Sequence, residues 1–482
     1  MKKKISNMKK YLKRFNLEII LIVSIIIIGA FLRLYHVELF GFANDQVRDA
    51  NIAREILHGK FIGEGPQFSV DTGGTRGHLG PFYFYLIAPV YFLFNNNPLG
   101  NVLLLAILNI ISIYLIYLVG KKYFNLKTGI ISAIILCFSY YVIFHSRFPW
   151  NPHMMIFLVL LMLNYFHKAI RKNEKYFLIV GLLLGFVTQT QSAGFLFLLC
   201  FALFFIFKLV KLPKIRYLLM SLGILILTYV PLIYFDLTHN LVNYHAYLNM
   251  ALGKGHTPDY FPSGRLPFAR PFMDYFNSLF GVGLSYEKIF FVLFSLVLIG
   301  TAIYILVREK NNLSKMIAIF LGTFGIVFAL MAYRNKLEEY FFLVITPFII
   351  LIIAYFLAKM LKVNIVTRIL AIILISLFIF QSQNLYWKDI LGKINRNYVQ
   401  ISSAQTLLPD TKEAVNYMVE ETRKNSGSLD RTFFVNYLQT CPPHYAINYQ
   451  AFDYIFNLKG ATPSTDSNTK INFYIIQPPE SL

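Results

Sequence analysis

The sequence predicts an all-α polytopic membrane protein of about eleven transmembrane helices, followed by a small C-terminal α/β domain. Three observations predict it. Of the 482 residues, 56% are hydrophobic and 14% charged, a balance that would leave large apolar patches facing water in a soluble chain. Apolar runs near the ~20 residues needed to cross a bilayer recur through the first four-fifths of the chain. Lysine and arginine gather in the short loops between those runs, as they do on the cytoplasmic side of membrane proteins.

The first run, residues 17–35, follows the basic opening MKKKISNMKKYLKRF. It is long enough to span, no small-residue cleavage site follows it, and it reads as an uncleaved first helix. Further runs fall at about 99–119, 129–146, 152–168, 176–191, 193–210, 215–235, 288–307, 315–333, 340–359 and 366–384. A twelfth candidate, GPFYFYLIAPVYFLF at 80–94, is short, contains two prolines and is rich in Tyr and Phe, residues that favour the interface. Charge decides its status. If 80–94 does not cross, the basic N-terminus, Lys121, Lys122 and Lys127, Lys168 to Lys175, Lys208 to Arg216, Arg308 to Lys315, and Lys359 to Arg368 all share one side. That assignment places the protein in the plasma membrane with its N-terminus cytoplasmic. Residues 36–98, 147–151, 236–287, 334–339 and the tail then face outward.

The tail, from about 385, changes character. DTKEAVNYMVEETRKN reads as an amphipathic helix, RTFFVNYL and INFYIIQPP as strands, and HYAINYQAFDYIFNLKG as a second helix ended by Gly460. The expected division is therefore a membrane domain, 1–384, with a first outer loop at 36–98, and an extracytoplasmic domain, 385–482. A net charge of +21 lies in loops that meet anionic lipid headgroups, which argues against nucleic acid as a partner. Cys137, Cys200 and Cys441 suggest neither a disulfide nor a metal site.

The chemistry concentrates in GFANDQVRDANIAREILHGKF, residues 41–61. Asn44 or Asp45 suits the cap of a helix whose apolar stripe is Val47, Ala50, Ala53 and Leu57, and Gly59 ends it. The expected polar side carries Arg48, Asp49 and Glu55. A Gly-rich loop follows, GEGPQFSVDTGGTRGHLG, and runs into the aromatic segment; long loops without secondary structure of their own are commonly functional. Outward basic candidates for an anionic ligand are Arg76, His78, Arg147, Arg270, Arg334 and Lys336, each of which serves headgroup contact as readily. Arg147 and Arg334 abut membrane segments, where a charge needs a partner or a ligand. Gln189 and Gln191 sit at a tight outward turn, where bonding between helices competes with substrate contact.

The order of these segments resembles the C-type glycosyltransferases, membrane enzymes that use polyprenyl-phosphate sugars, and within them the protein O-mannosyltransferase and aminoarabinose transferase branch. The residues that carry the resemblance are NDQVRDANIAREILHGKF after the first span, HLGPFYFYL, HSRFPWNPHMMIFLVLLMLNYF after the third span, and LEEYFFLVITPFIIL. It extends over about residues 15–360. The resemblance implies that Asp45 is the catalytic carboxylate, accepting the proton of an acceptor hydroxyl as it attacks the anomeric carbon, with inversion. Asp49 takes a supporting role, since Gln46 follows Asp45 where the family pairs Asp with Glu. Asn151 stands where relatives carry a second acidic residue and cannot act as a base or charged metal ligand, which counts against a metal-assisted variant, although a divalent cation is left open as a cofactor. Tyr340 and Pro347 match a family Tyr and Pro; with Asn151 and Gln191, Tyr340 is a candidate for sugar or acceptor contact. The donor phosphate requires fixed positive charge, for which Arg76, His78, Arg147, Arg334 and Lys336 are the candidates.

The expected partners are a polyprenyl-phosphate-linked sugar, a lipid, glycan or protein acceptor, and membrane lipids. Two other functions compete. A polysaccharide polymerase or ligase would use a diphosphate-linked glycan and draw on the outer loop at 236–287. A transporter would show paired halves and ionisable residues in mid-span, which this chain does not clearly have.

Overall fold

The computed structural model describes residues 2–71, 76–251, 269–281, 287–333, 337, 339–395, 407–438, 449–465, 469 and 471–476. Among the described residues, seven helical stretches are long and apolar enough to cross a membrane: Leu17–Leu34, Leu99–Tyr123, Asn151–Arg171, Lys288–Arg308, Asn312–Ala332, Glu339–Val363 and Ile365–Ile394. They belong to helices α1 (Lys2–Leu34), α4 (Leu99–Tyr123), α7 (Met155–Arg171), α14 (Glu287–Arg308), α15 (Asn312–Tyr333), α16 (Phe342–Val363) and α17 (Ile365–Ile394).

Two further expected spans form as broken helices. α5 (Leu126–Phe138) and α6 (Tyr140–Ser146) meet at 61°, and α10 (Ile215–Thr228) and α11 (Val230–Thr238) at 51°. Ser139 leaves helical geometry with ψ 118° and its hydroxyl donates to the Leu279 carbonyl. Pro231 sits in the first turn of α11, where a missing N–H costs the new helix nothing but the old helix cannot continue. The last two expected spans, α8 (Tyr176–Thr190) and α9 (Leu196–Ile206), are 15 and 11 residues long. At 1.5 Å per residue they fall short of the ~30 Å hydrocarbon core. The disputed segment is helix α3 (Phe82–Leu93), apolar, short and interrupted by Pro89.

α16 is apolar on every side and is the centre of the bundle, with 16 buried residues between Phe342 and Ala358. It packs on α5, α7, α14, α15 and α17. α1, α14 and α17 instead leave rows of Leu, Ile and Val exposed along their outer sides, as lipid-facing helices do. α8 and α10 approach closely because Gly181 and Gly185 face them: a Cβ at Gly185 would lie 2.3 Å from Thr228 Oγ1, the small-xxx-small device of membrane helix pairs. At the basic end, loops are tied by Glu18 to Lys121 and Tyr117, Lys122 to Asn164 (2.8 Å), and Glu309 to Lys359 (2.9 Å).

The opposite end carries the irregular structure. α2 (Asn44–Leu57) follows α1, and the Gly-rich loop is less bare than expected: β1 (Gln67–Asp71) and β2 (Arg76–His78) pair antiparallel. Gly65 and Gly80 let the strands' entry and exit touch, since a Cβ on Gly65 would meet the Gly80 oxygen at 2.1 Å. α12 (Val242–Ala251) and α13 (Arg270–Phe280) complete this end.

In the tail, α18 (Leu408–Ser426), β3 (Phe433–Leu438), α19 (Tyr449–Leu458) and β4 (Ile471–Ile476) form a small α/β unit whose two strands run parallel. α17 continues to Ile394, so residue 385 falls within a continuous helix. The tail packs on the α2 end of the bundle. Leu408 N–H donates to Phe40 O (3.0 Å), the Tyr454 ring packs edge-on against Phe42, and Tyr454 Oη donates to Asn96 O (2.7 Å). The acidic helix and the terminal domain therefore lie on the same side of the bundle.

Candidate active site

The expected cap of α2 is not made by Asn44 or Asp45. The N-cap is Ala43, whose N–H donates to Gln46 Oε1 at 3.3 Å, and Asn44 and Asp45 already lie in the first turn. Asp45 is thereby free of capping duty. Gly59, at φ 87°, ends the helix as expected. Val47, Ala50 and Ala53 are buried, whereas Leu57 is exposed. Asp49 departs from expectation: its side chain is not on the solvated face but fully buried.

Arg48 reconciles the two acids. Its Nη1 donates to Asp45 Oδ1 at 2.7 Å, while Nε and Nη2 grip Asp49 Oδ1 at 2.9 and 2.6 Å. The other oxygen of Asp49 is buried without a hydrogen-bond partner. Burial pushes the Asp49 carboxyl up to about 7 against the pull of Arg48. The paired carboxylates hold Arg48 above its ordinary value despite burial, which acts the other way. Asp45 remains partly open to solvent, its side chain 42% exposed.

The guanidinium forms part of the wall of a cavity of about 510 Å³. α2 and the residue 60–67 stretch supply one side, with Glu55, Lys60 and Glu64, and α11 with its C-cap supplies the other, with Tyr234, Phe235 and His239. His78 closes it from β2. Its backbone N–H donates to Asn243 Oδ1 at 2.6 Å, its ring meets Phe235 edge-on, and its Nδ1 is buried without a partner. Burial lowers the His78 pKa more than Glu64 raises it, which favours a neutral imidazole with one nitrogen to donate and one to accept. Asp236 holds Asn243 in place by accepting from its N–H at 2.7 Å.

A second group assembles where the spans break. Asn151 Nδ2 donates to Thr190 O (2.9 Å), Gln191 Nε2 donates to Tyr340 O (3.1 Å), and the Tyr340 ring packs edge-on against Trp150. Asn151, Gln191 and Tyr340 are thus brought together, and Gln191 Oε1 is buried without a partner. Beside them, His145 Nδ1 and His153 Nε2 are 2.9 Å apart and His145 Nε2 stands 3.8 Å from Glu339 Oε1. Gln189 ties the end of α8 to α10 and α3, donating to Thr228 O (2.9 Å) and accepting from Phe82 N–H (3.3 Å). Its amide is spent on the protein itself.

The remaining basic candidates separate. Arg147 is buried and donates to the carbonyls of Leu32, Tyr35 and His36 and to the Tyr386 hydroxyl. It pins the end of α1 to α6 and α17 and is not part of the cavity wall. Arg270 pairs with Asp274. The Arg76 side chain, Arg334, Lys336 and Cys441 lie outside the described residues. Among the described residues, no group of three or more His, Cys, Asp and Glu is arranged to hold a metal ion.

The family model for dolichyl-phosphate-mannose-protein mannosyltransferase matches residues 78–234. A comparison with curated proteins finds no match. Among solved structures, ArnT from Cupriavidus metallidurans in the apo state aligns over 95% of this chain and 93% of its own, with a TM-score of 0.58 at 12% identity. The same protein bound to undecaprenyl phosphate aligns over 94% and 90%, with a TM-score of 0.55 at 13% identity. The chain has the C-type glycosyltransferase fold. The apo oligosaccharyltransferase of Archaeoglobus fulgidus aligns over 91% of this chain with a TM-score of 0.54 at 13% identity, and the chain spans 63% of its length.

Within this C-type glycosyltransferase fold, sequence reading missed Arg48, Glu64, His145, His153, Asn243 and Glu339. Arg48 was readable from spacing, since it lies three residues after Asp45 and adjoins Asp49. His145 and His153 bracket a proline-containing break, RFPWNP, which hinted at a turn bringing them together. Asn243 gave no local signal, because its partner is 165 residues away.

Proposed function

We propose that this chain is an integral membrane glycosyltransferase that moves a sugar from a polyprenyl-phosphate donor to an acceptor outside the cytoplasmic membrane. The observation that carries the reading is Asp45: a solvent-accessible carboxylate, released from capping, one hydrogen bond from the wall of a cavity at the irregular end of the bundle. The fold shared with ArnT, whose structure holds undecaprenyl phosphate, and the mannosyltransferase family model support the same class of donor.

In this reading the acceptor hydroxyl attacks the anomeric carbon, the bond from that carbon to the phosphate oxygen breaks, and Asp45 takes the hydroxyl proton. The polyprenyl phosphate leaves with the electron pair, and the anomeric centre inverts. Asp49 acts through Arg48, holding the guanidinium where it faces the cavity. Arg48 and Lys60 are described cations on the cavity wall that can meet phosphate charge as it develops; His78, Arg76, Arg334 and Lys336 are proposed to add to them. The internal bonds of Arg147 argue for an anchoring role. Asn151, Gln191 and Tyr340 are proposed to contact the sugar or acceptor, with Gln191 Oε1 as the unspent acceptor. The tail beyond α17 is proposed as an extracytoplasmic domain on the side of the site.

The test is Asp45→Asn in purified protein supplied with a polyprenyl-phosphate sugar. A base of this kind contributes roughly 10²-fold or more. Sugar transfer should drop by at least that factor while membrane insertion and melting temperature stay near those of the parent. Full activity in the variant refutes the assignment.

A further inference from the structure

A second cavity, of about 360 Å³, lies at the seam between the membrane domain and the tail. Phe94, Asn95 and Asn97 form one wall, and Lys412, Asn416, Ile455, Leu458 and Lys459, from α18 and the end of α19, form the other. The membrane-side wall is a tight turn. Asn95 and Asn96 both have positive φ, 49° and 61°, a conformation that Asn tolerates better than other non-glycine residues. The turn is also the joint to the tail: Asn97 Oδ1 accepts from Lys412 Nζ at 2.9 Å, and Asn96 O accepts from Tyr454 Oη.

The cavity has an unbalanced charge. Two lysines line it and no carboxylate does. Lys412 is half-buried, and both burial and the nearby Lys459 lower its pKa, so the two cations repel across a partly desolvated space. An anion placed there would relieve that repulsion and take hydrogen bonds from the lysines and amides. The location specifies the kind of anion. Phe92 and Leu93, 69% and 73% exposed, end α3 immediately beside the turn, and exposed apolar side chains at the end of an apolar helix mark the edge of the bilayer. Lysines at that depth meet lipid headgroups.

We propose that this seam binds the phosphate of an anionic membrane lipid, with Lys412 and Lys459 as its cationic contacts, so that the lipid bridges the tail to the membrane domain. The site is separate from the Asp45 cavity, and the two share no lining residue. It does not depend on the glycosyltransferase reading.

The experiment uses the full chain in detergent. Melting temperature is followed on adding phosphatidylglycerol, phosphatidylcholine or inorganic phosphate, and retained phosphatidylglycerol is counted by native mass spectrometry. Lys459→Gln is the primary variant, because Lys459 is exposed and the Lys412 to Asn97 bond survives it. The parent should retain phosphatidylglycerol and melt higher with it than with phosphatidylcholine. Lys459→Gln should lose several-fold in retention and most of that upward shift, while melting like the parent in phosphatidylcholine. Lys412→Gln should show the same loss of retention. Equal retention by the parent and both variants overturns the site. Stabilisation by inorganic phosphate that matches phosphatidylglycerol overturns the lipid assignment in favour of a soluble phosphate.

Discussion

Asp45 and Asp49 are four residues apart on one helix, yet Arg48 joins two quite different environments. Asp45 faces solvent, and Asp49 is sealed beneath the helix with one oxygen unpartnered. The folded chain holds the Asp49 proton more tightly than an unfolded chain does, because its carboxyl is raised from 3.8 to about 7. Linkage then has a definite sign: the contribution to stability is full below the ordinary carboxyl value and is lost as pH rises through about 7. Asp49→Asn should flatten the dependence of melting temperature on pH between about 4 and about 7, where the folded chain still holds the proton and the unfolded chain has lost it. Melting curves of the parent and variant across that window check it, and parallel slopes would remove Asp49 as the titrating group.

At the scale of elements, close packing in this bundle depends on glycine. Gly181 and Gly185 lie one turn apart on α8 and press on Ser221 and Thr228 of α10. A Gly185→Val side chain has nowhere to go, and overpacking of this kind costs roughly 1–3 kcal/mol. We expect a lower melting temperature and weaker contact between α8 and α10. Gly223, on α10 itself, is the control: a Cβ there meets nothing within 4 Å. Gly223→Ala should leave stability unchanged or slightly raised, since alanine is the better helix former. If both variants melt alike, the α8 to α10 contact is not set by these glycines. The same pair of helices supports the site, because Gln189 at the end of α8 bonds to Thr228 O and to the start of α3.

For the whole molecule, the question is which compartment holds the irregular end. Contacts of Phe42, Arg54 and Asn96 with Tyr454 put α2 and the tail on the same side, and the basic loops gather at the other. Cytoplasmic loops collect Lys and Arg, so the tail is expected outside. A single cysteine introduced at exposed Tyr417, with the native cysteines replaced, should react with a membrane-impermeant thiol reagent in intact cells. One at exposed Lys172, in the basic turn after α7, should react only after lysis. The reverse pattern would bring down the assignment of the acceptor to the outer side. The position of the cavity that Arg48 lines is consistent with the same reading: α2, the residue 60–67 stretch and the end of α11 line it, whereas a transporter is expected to bind near the bilayer midplane.

Composition and charge by themselves determined the membrane class, the positions of eleven apolar segments, the shortness of α3 and the helix that carries Asp45. Each of these depends on local periodicity or on loop charge, which a linear reading captures. α2 was foreseen from Val47, Ala50 and Ala53, but its start was set by tertiary contact: Phe40 and Phe42 pack under the tail, which fixes Ala43 as the cap and leaves Asp45 open. Only the tertiary structure decided that Asp49 is buried, that the Arg147 guanidinium bonds the carbonyls of Leu32, Tyr35 and His36, and that Asn151, Gln191 and Tyr340 meet. Those outcomes turn on which groups the fold brings close, across 39 residues for Asn151 and Thr190 and 149 for Gln191 and Tyr340. A charged or amide side chain carries the same local signal whether its partner is water, a carbonyl or a substrate, and packing alone selects among them.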